Sequence, residues 1–208
     1  MQISTFSREL ANAAESALAP TFAKIDQTAR TNTEHVLDCF KSCGVSESFF
    51  TPSTGYGSGD RGRDALDKLA AEIFRAESGF IRPSLLSGTH TLAVALYGIL
   101  RPGDIMLSVT GRPYDTLTKV LGLDQTGDEK PQISSEGSLR DLGVDYRQLE
   151  LLPDPFTAEE PIDIPAMVEF IRRHGEKVKM VYVQRSRGYA FRPALTVSQI
   201  RRAAYEVE

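Results

Sequence analysis

Short apolar runs alternate with amphipathic stretches from residue 80 onward, and this alternation constrains the fold more than any other feature of the sequence. Runs over 80–86, 105–110, 144–151 and 178–184 have the length of strands. Stretches over 88–100, 115–122, 164–174 and from 197 onward have helical periodicity. Strands separated by helices predict a mostly parallel α/β sheet with right-handed crossovers. Arg101-Pro102-Gly103-Asp104 predicts a turn, 124–143 a polar excursion from the core, and 153–165 a proline-rich acidic loop. Thr196 is the expected cap of the last helix, which has no glycine or proline stop and is expected to run on through Glu208.

The first part of the chain reads differently. Residues 7–43 predict helix, with Leu10, Ala14, Leu18, Phe22, Ile25, Val36 and Phe40 at apolar positions and a break at Pro20. Asn32 or Thr33 is the expected start of its second half, and Gly44 its stop. After a turn-rich stretch over 44–62, a helix over 63–76 would present Ala65, Leu66, Leu69, Ile73 and Phe74 on one side.

Composition removes several classes of function. With 41% hydrophobic and 25% charged residues the chain has the make-up of a soluble globular protein, long enough at 208 residues for one sizeable domain. Twenty-four basic against 28 acidic residues argue against nucleic acid as a partner. No apolar run reaches the length of a membrane span, and the N-terminus lacks a basic segment followed by an apolar one. Cys39 and Cys43 are too few for a disulfide framework, so a cytoplasmic setting with reduced thiols is expected.

Three turns carry the chemistry. Ser87-Gly88-Thr89 falls between a strand and an apolar helix, where unpaired N–H groups and the positive end of the dipole favour a phosphate. The same residues could equally serve as an ordinary helix cap. Tyr114 follows the strand over 105–110, at the carboxyl end where ligands of open α/β sheets gather, and its ring could stack on a planar ligand or simply lie on the surface. Gln184-Arg185-Ser186-Arg187-Gly188-Tyr189 also follows a strand, and Arg185 and Arg187 are candidates to hold a substrate carboxylate or to form a solvated basic loop. His90, two residues past Gly88, could reach the same ligand.

Two further patterns mislead. Gly57-x-Gly59-x-x-Gly62 matches the dinucleotide fingerprint, yet 46–54 is polar, contains Pro52 and is no buried strand. His35, Cys39 and Cys43 share a helical face, but a structural zinc site takes four ligands, so no metal is expected.

Taken in order, the motifs resemble one family. Val45-Ser46-Glu47-Ser48, Gly55-Tyr56-Gly57, Asp60-Arg61-Gly62-Arg63-Asp64 and Ser87-Gly88-Thr89-His90 begin the series. Leu100-Arg101-Pro102-Gly103-Asp104, Ser108-Val109-Thr110-Gly111, Pro113-Tyr114-Asp115-Thr116-Leu117, Gly137-Ser138-Leu139 and Gln184 to Tyr189 complete it. From about Phe22 to Glu208 the chain resembles the N-terminal half of the aluminium-resistance or methionine gamma-lyase-like group of fold-type-I pyridoxal-phosphate enzymes, relatives of cystathionine beta-lyase.

The resemblance implies an N-terminal helical arm over 1–54 and, over 55–208, part of a three-layer pyridoxal-phosphate-binding large domain. It implies that Ser87, Gly88 and Thr89 hold the cofactor phosphate and that Tyr114 stacks on the pyridine ring. Tyr56 would reach the phosphate of the neighbouring subunit, in a homodimer or homotetramer. Relatives carry an arginine two residues after this tyrosine, where this chain has Ser58, with Arg61 and Arg63 nearby. The cofactor-anchoring lysine and the aspartate facing the pyridinium nitrogen would lie beyond Glu208. No catalytic residue is therefore expected within the chain, which is read as a fragment inactive alone. The implied reaction is elimination of a thiol from a sulfur amino acid, a carbon–sulfur lyase activity. Two other readings stay open: a nucleotide-binding oxidoreductase using Gly57 to Gly62, and a non-catalytic interaction module.

Overall fold

The computed structural model describes residues 4–52, 59–123, 136–154, 156 and 158–207. The chain divides into two compact units, one ending at Ser84 and the other starting at Leu85.

The first unit is built on α1 (Thr5–Ser42) and α2 (Arg61–Phe74). The Ser4 hydroxyl accepts the Ser7 N–H at 3.1 Å and caps α1, and Gly44, with φ +63°, takes the left-handed conformation that ends it. The expected break at Pro20 does not occur: Pro20 lies inside one continuous helix, and Thr33 is an interior residue whose hydroxyl donates to the Ala29 carbonyl at 2.8 Å. A proline removes one ladder bond, and the alanine-rich turns around it (Ala11, Ala13, Ala14, Ala17, Ala19) are the strongest helix formers available. Asp60 caps α2 by accepting the Arg63 N–H at 3.0 Å, and Arg75, at φ 54°, closes it. The two helices are joined by His35, whose Nε2 lies 3.2 Å from the Ile73 carbonyl, and by Ser42, whose hydroxyl donates to Glu72.

The strand expected over 80–86 is absent. Asp67 instead takes the Ile81 N–H at 2.9 Å and both arms of the Arg82 guanidinium at 2.6 and 2.7 Å, while Pro83 offers no N–H to a ladder. The Arg82 guanidinium, then the Ile81 N–H, hold the Asp67 carboxyl below its ordinary value. Gly79 fits because a Cβ there would meet the Asp67 carbonyl oxygen at 2.5 Å.

The second unit carries the sheet. Its strands β1 (Ile105–Ser108), β2 (Asp145–Gln148) and β3 (Val178–Tyr182) are parallel, in the order β2-β1-β3. Every residue of β1 is buried, as expected for the central strand of a sheet covered on both faces. Successive side chains point to opposite faces. Met106 packs with Leu96, Leu100, Leu117, Leu121, Leu139 and Val144, which come largely from α3 (Gly88–Ile99) and α4 (Asp115–Leu121). Leu107 packs with Val109, Ile162, Met167, Leu195 and Ala203 on the side of α5 (Ile164–His174) and α6 (Val197–Tyr205). Helices therefore cover both faces of a parallel sheet, an α/β architecture.

The observed strands are shorter than expected, because pairing stops where the chain leaves the sheet for the loops at the carboxyl ends of the strands. β3 is half-buried along most of its length rather than buried. Thr196 caps α6 as expected, in a reciprocal box with Gln199. The helix does not run on: it ends at Tyr205, followed by a turn at Glu206 and Val207. The polar excursion expected over 124–143 falls outside the described residues up to 135, and 136–143 form turns.

Burial raises the phenol pKa of both Tyr146 and Tyr182, which flank β1 from β2 and β3. Their neutral form is the one the fold accommodates, so the unfolded chain loses its protons first. Stability is then full below the ordinary tyrosine value of about 10 and falls as pH rises above it. In an alkaline titration, phenolate absorbance from these two residues is expected to appear together with loss of far-UV circular dichroism. Their ionisation at the ordinary value with the dichroism intact would contradict the burial argument.

Candidate functional site

The carboxyl ends of β1 and β3 lie side by side, and the loops that leave them are tied together. After β1 the chain passes through Thr110, Gly111 and Pro113 to Tyr114, which precedes α4. Gly111 adopts φ +74° with Glu150 so near that a Cβ would meet a carboxylate oxygen at 2.5 Å. After β3, the Gln184 N–H donates to the Thr110 hydroxyl at 3.0 Å, and the Gln184 side-chain oxygen accepts the Tyr114 N–H at 2.7 Å. These two bonds span 74 and 70 residues of sequence and fix Tyr114 over the seam between the strands.

The Tyr114 ring has a companion. Tyr189 stacks on it with centroids 5.8 Å apart and planes inclined by 27°. The neighbouring Tyr189 phenol raises the pKa of Tyr114 above its ordinary value. Gly188, at φ +57°, passes so close to the Tyr114 ring that a Cβ would sit 2.8 Å from its Cδ2.

At the start of α3, the Ser87 hydroxyl accepts the His90 N–H at 3.1 Å, and the Thr91 N–H reaches the Ser87 carbonyl at 2.9 Å. Helix-cap and phosphate roles are thus compatible here: Ser87 caps with one lone pair and keeps its own O–H to donate. The first turn carries no acidic residue, and a Cβ on Gly88 would have nothing within 4 Å among the described residues. Thr89 is linked to the other half of the site, its hydroxyl 2.7 Å from that of Thr116, two residues past Tyr114. The structure thus brings Ser87, Gly88, Thr89 and Tyr114 into one cluster, with Thr116, Gln184 and Tyr189 among them.

The remaining expected residues divide. His90 is turned to the backbone, its Nδ1 accepting the Leu86 N–H at 3.3 Å, so its Nε2 is the nitrogen left for a ligand. Arg185 and Arg187 are exposed on the loop after β3 and have no ion pair among the described residues. Tyr56, Gly55, Gly57 and Ser58 lie outside the described residues. The fingerprint of glycines is preceded by a 3-10 turn (Glu47–Phe50) rather than by a strand, and Asp60 within it is spent on capping α2. A pyrophosphate cradle of the dinucleotide type needs a strand leading into the glycines. His35 and Cys39 are neighbours, 3.9 Å apart, and no group of three metal-type side chains occurs among the described residues.

Arg192 escaped the sequence reading. It is buried to 8% exposure, and its guanidinium donates to the carbonyls of Gln184 at 3.1 Å, Ser186 at 2.9 Å and Pro193 at 3.1 Å. Nothing in Phe191-Arg192-Pro193 signals burial, because an arginine beside a proline in a polar loop ordinarily faces water.

The sequence model of the methionine gamma-lyase family matches residues 7–208. The chain belongs to the methionine gamma-lyase family. Relatives agree. The chain is 39% identical over 187 residues to the uncharacterized protein YnbB of Bacillus subtilis, covering 90% of this chain and 41% of YnbB. It superposes with a TM-score of 0.85 and 35% identity on a carbon–sulfur lyase involved in aluminium resistance from Clostridium novyi, over 99% of this chain and 45% of that one. A candidate cystathionine beta-lyase involved in aluminium resistance from Clostridium acetobutylicum gives a TM-score of 0.84 at 36% identity, with the same coverage. This member of the methionine gamma-lyase family thus spans less than half the length of these relatives.

Proposed function

We propose that this chain is the phosphate-holding part of a pyridoxal-phosphate-dependent carbon–sulfur lyase of fold type I. One observation carries the reading: an acid-free helix N-terminus with two hydroxyls and an open glycine is hydrogen-bonded, through Thr89 and Thr116, to the first turn of α4, just after the aromatic ring of Tyr114. That donor set suits a dianionic phosphate, and an aromatic face suits a flat heterocycle. When bound, pyridoxal phosphate supplies an electron sink that makes the α-carbon of an amino acid acidic.

The residues divide the work of binding and orientation. Ser87 and Thr89 donate hydroxyl hydrogens to the phosphate, and Gly88 lets it approach the first-turn N–H groups. Tyr114 covers the ring. Arg185 and Arg187 hold the substrate carboxylate, and His90 lends its Nε2 to the same region. Tyr56 reaches in from a neighbouring subunit of a homodimer or homotetramer. Residues 1–54 serve as a helical arm and 55–208 as the large domain. The lysine and aspartate that complete the chemistry belong to the part of the relatives this chain does not span. The substrate is a sulfur amino acid and the product a thiol. A cytoplasmic setting accords with the cysteine usage, and no helix among the described residues is long and apolar enough to cross a membrane.

The test is thiol release by the full-length protein from cystathionine and from methionine, each with and without added pyridoxal phosphate. Cofactor-dependent thiol release is expected. Failure to bind the cofactor, or release that is indifferent to it, would sink the reading.

A further inference from the structure

We infer that Arg192 is a positioning residue for the Tyr114 ring, acting through the loop from Gln184 to Tyr189. The inference rests on the reading of Tyr114 as the ring that covers the cofactor.

Three contacts compose the device. The Arg192 Nη2 donates to the Gln184 and Ser186 carbonyls, which clamps the two ends of the tripeptide after β3. Gln184, held in this way, accepts the Tyr114 N–H with its side-chain oxygen and donates to the Ser186 carbonyl at 3.1 Å. The same loop then carries Gly188 against the edge of the Tyr114 ring and Tyr189 onto its face. Tyr114 is thereby fixed at both its backbone and its ring, and one ring face is already occupied.

A surface loop would not need a buried cation for this. Withdrawing a guanidinium from water is costly unless its donors are used, and burial does push Arg192 below its ordinary pKa. Here three carbonyls use them, with no carboxylate partner among the described residues' ion pairs. Arginine suits the task because its planar fork reaches several carbonyls at fixed angles, which the point charge of lysine cannot do. The loop bonded to it is exposed from Arg185 to Phe191, so little other packing defines its shape.

The test uses the full-length protein and two readouts. The first is near-UV circular dichroism, read as the difference between wild type and each variant so that aromatic rings elsewhere in the full-length protein cancel; the 208 residues of this chain contribute 7 tyrosines and no tryptophan. Tyr189→Leu identifies the band of the stacked pair, and Arg192→Met and Gly188→Ala are expected to lose the same band. Cofactor affinity is the second readout. Arg192→Met is expected to raise the Kd for pyridoxal phosphate about tenfold, as loss of one well-placed aromatic contact does. Added to Tyr114→Ala, it is expected to cause no further loss, because it acts only through that ring.

A pair band unchanged in Arg192→Met overturns the inference, as does a loss of affinity that is equally large in the Tyr114→Ala background. A role confined to stability would lower the melting temperature and leave band and affinity in place. Should Arg192→Met fail to fold, Arg192→Lys carries the test, since it keeps the charge and must still weaken the band. If the wild type binds no pyridoxal phosphate, the proposed function falls, while the dichroism series still decides whether Arg192 sets the ring.

Discussion

Leu107→Ala is expected to destabilise the sheet-bearing unit by about 3–5 kcal/mol, the range found for leucine truncation in a packed core. Leu107 has no exposed surface and sits on the central strand, with Val109, Ile162, Met167, Leu195 and Ala203 around it. Its own transfer from water contributes about 2 kcal/mol, and the remainder comes from the cavity that its neighbours cannot close. They cannot close it because they are held in place on separate elements: the β1 loop, α5, α6 and the segments before them. Leu142→Ala is the control in the same unit. That side chain is 49% exposed, and its loss is expected to cost well under 1 kcal/mol. Urea denaturation followed by far-UV circular dichroism gives both values as midpoint shifts. Similar shifts for the two variants would mean that Leu107 is not the centre of the core.

The same contrast explains what was legible in the sequence. The alternation of apolar and amphipathic stretches announced the parallel sheet because β1 is buried on both faces and opens with the apolar run Ile105-Met106-Leu107. Helices with strong boundary signals were legible to within a residue. The segment Ile164–His174 has Asp163 at its cap, Pro165 in its first turn and Arg172, Arg173 and His174 in its last. Two failures have different causes, one a non-local partner and the other local helix propensity. Phe80, Ile81, Leu85 and Leu86 look like a strand, but Asp67 of α2 takes the hydrogen bonds that a neighbouring strand would supply. Pro20 looks like a break, but the turns around it are good enough helix formers to carry the helix past one missing bond.

The candidate site shows the same division. That ligand-type residues should gather where strands β1 and β3 end follows from topology alone, and the loops do meet there. The hydroxyl pair that links Thr89 to Thr116, the seat of Tyr114 on Gln184 and the buried fork of Arg192 have no sequence signature. Each depends on pairs whose spacing carries no period, 27 residues for Thr89 and Thr116, 70 for Tyr114 and Gln184, and 8 and 6 for Arg192 with Gln184 and Ser186.

Gly88→Asp separates the two roles that the start of α3 can play. As a helix terminus, the position welcomes the change. Gly88 has no left-handed backbone requirement, a Cβ there meets nothing within 4 Å among the described residues, and the first turn has no acidic residue at present. A carboxylate next to the positive end of the dipole stabilises a helix by about 0.3–1 kcal/mol, and replacing glycine within the helix adds to that gain. As a phosphate site, the position is spoiled. A fixed negative charge enters the space reserved for a dianion and competes for the same N–H groups. Two like charges about 4 Å apart repel by several kcal/mol at the effective dielectric near a protein surface, enough for a loss of about a hundredfold or more in affinity. The variant is therefore expected to melt at the wild-type temperature or above it and yet to lose pyridoxal phosphate in equilibrium dialysis. Gly88→Ala, which adds the methyl without the charge, is expected to lose less affinity than Gly88→Asp, so the difference between the two variants isolates the charge. Undiminished cofactor binding by Gly88→Asp would leave α3 with an ordinary cap and would remove the phosphate from this end of the helix.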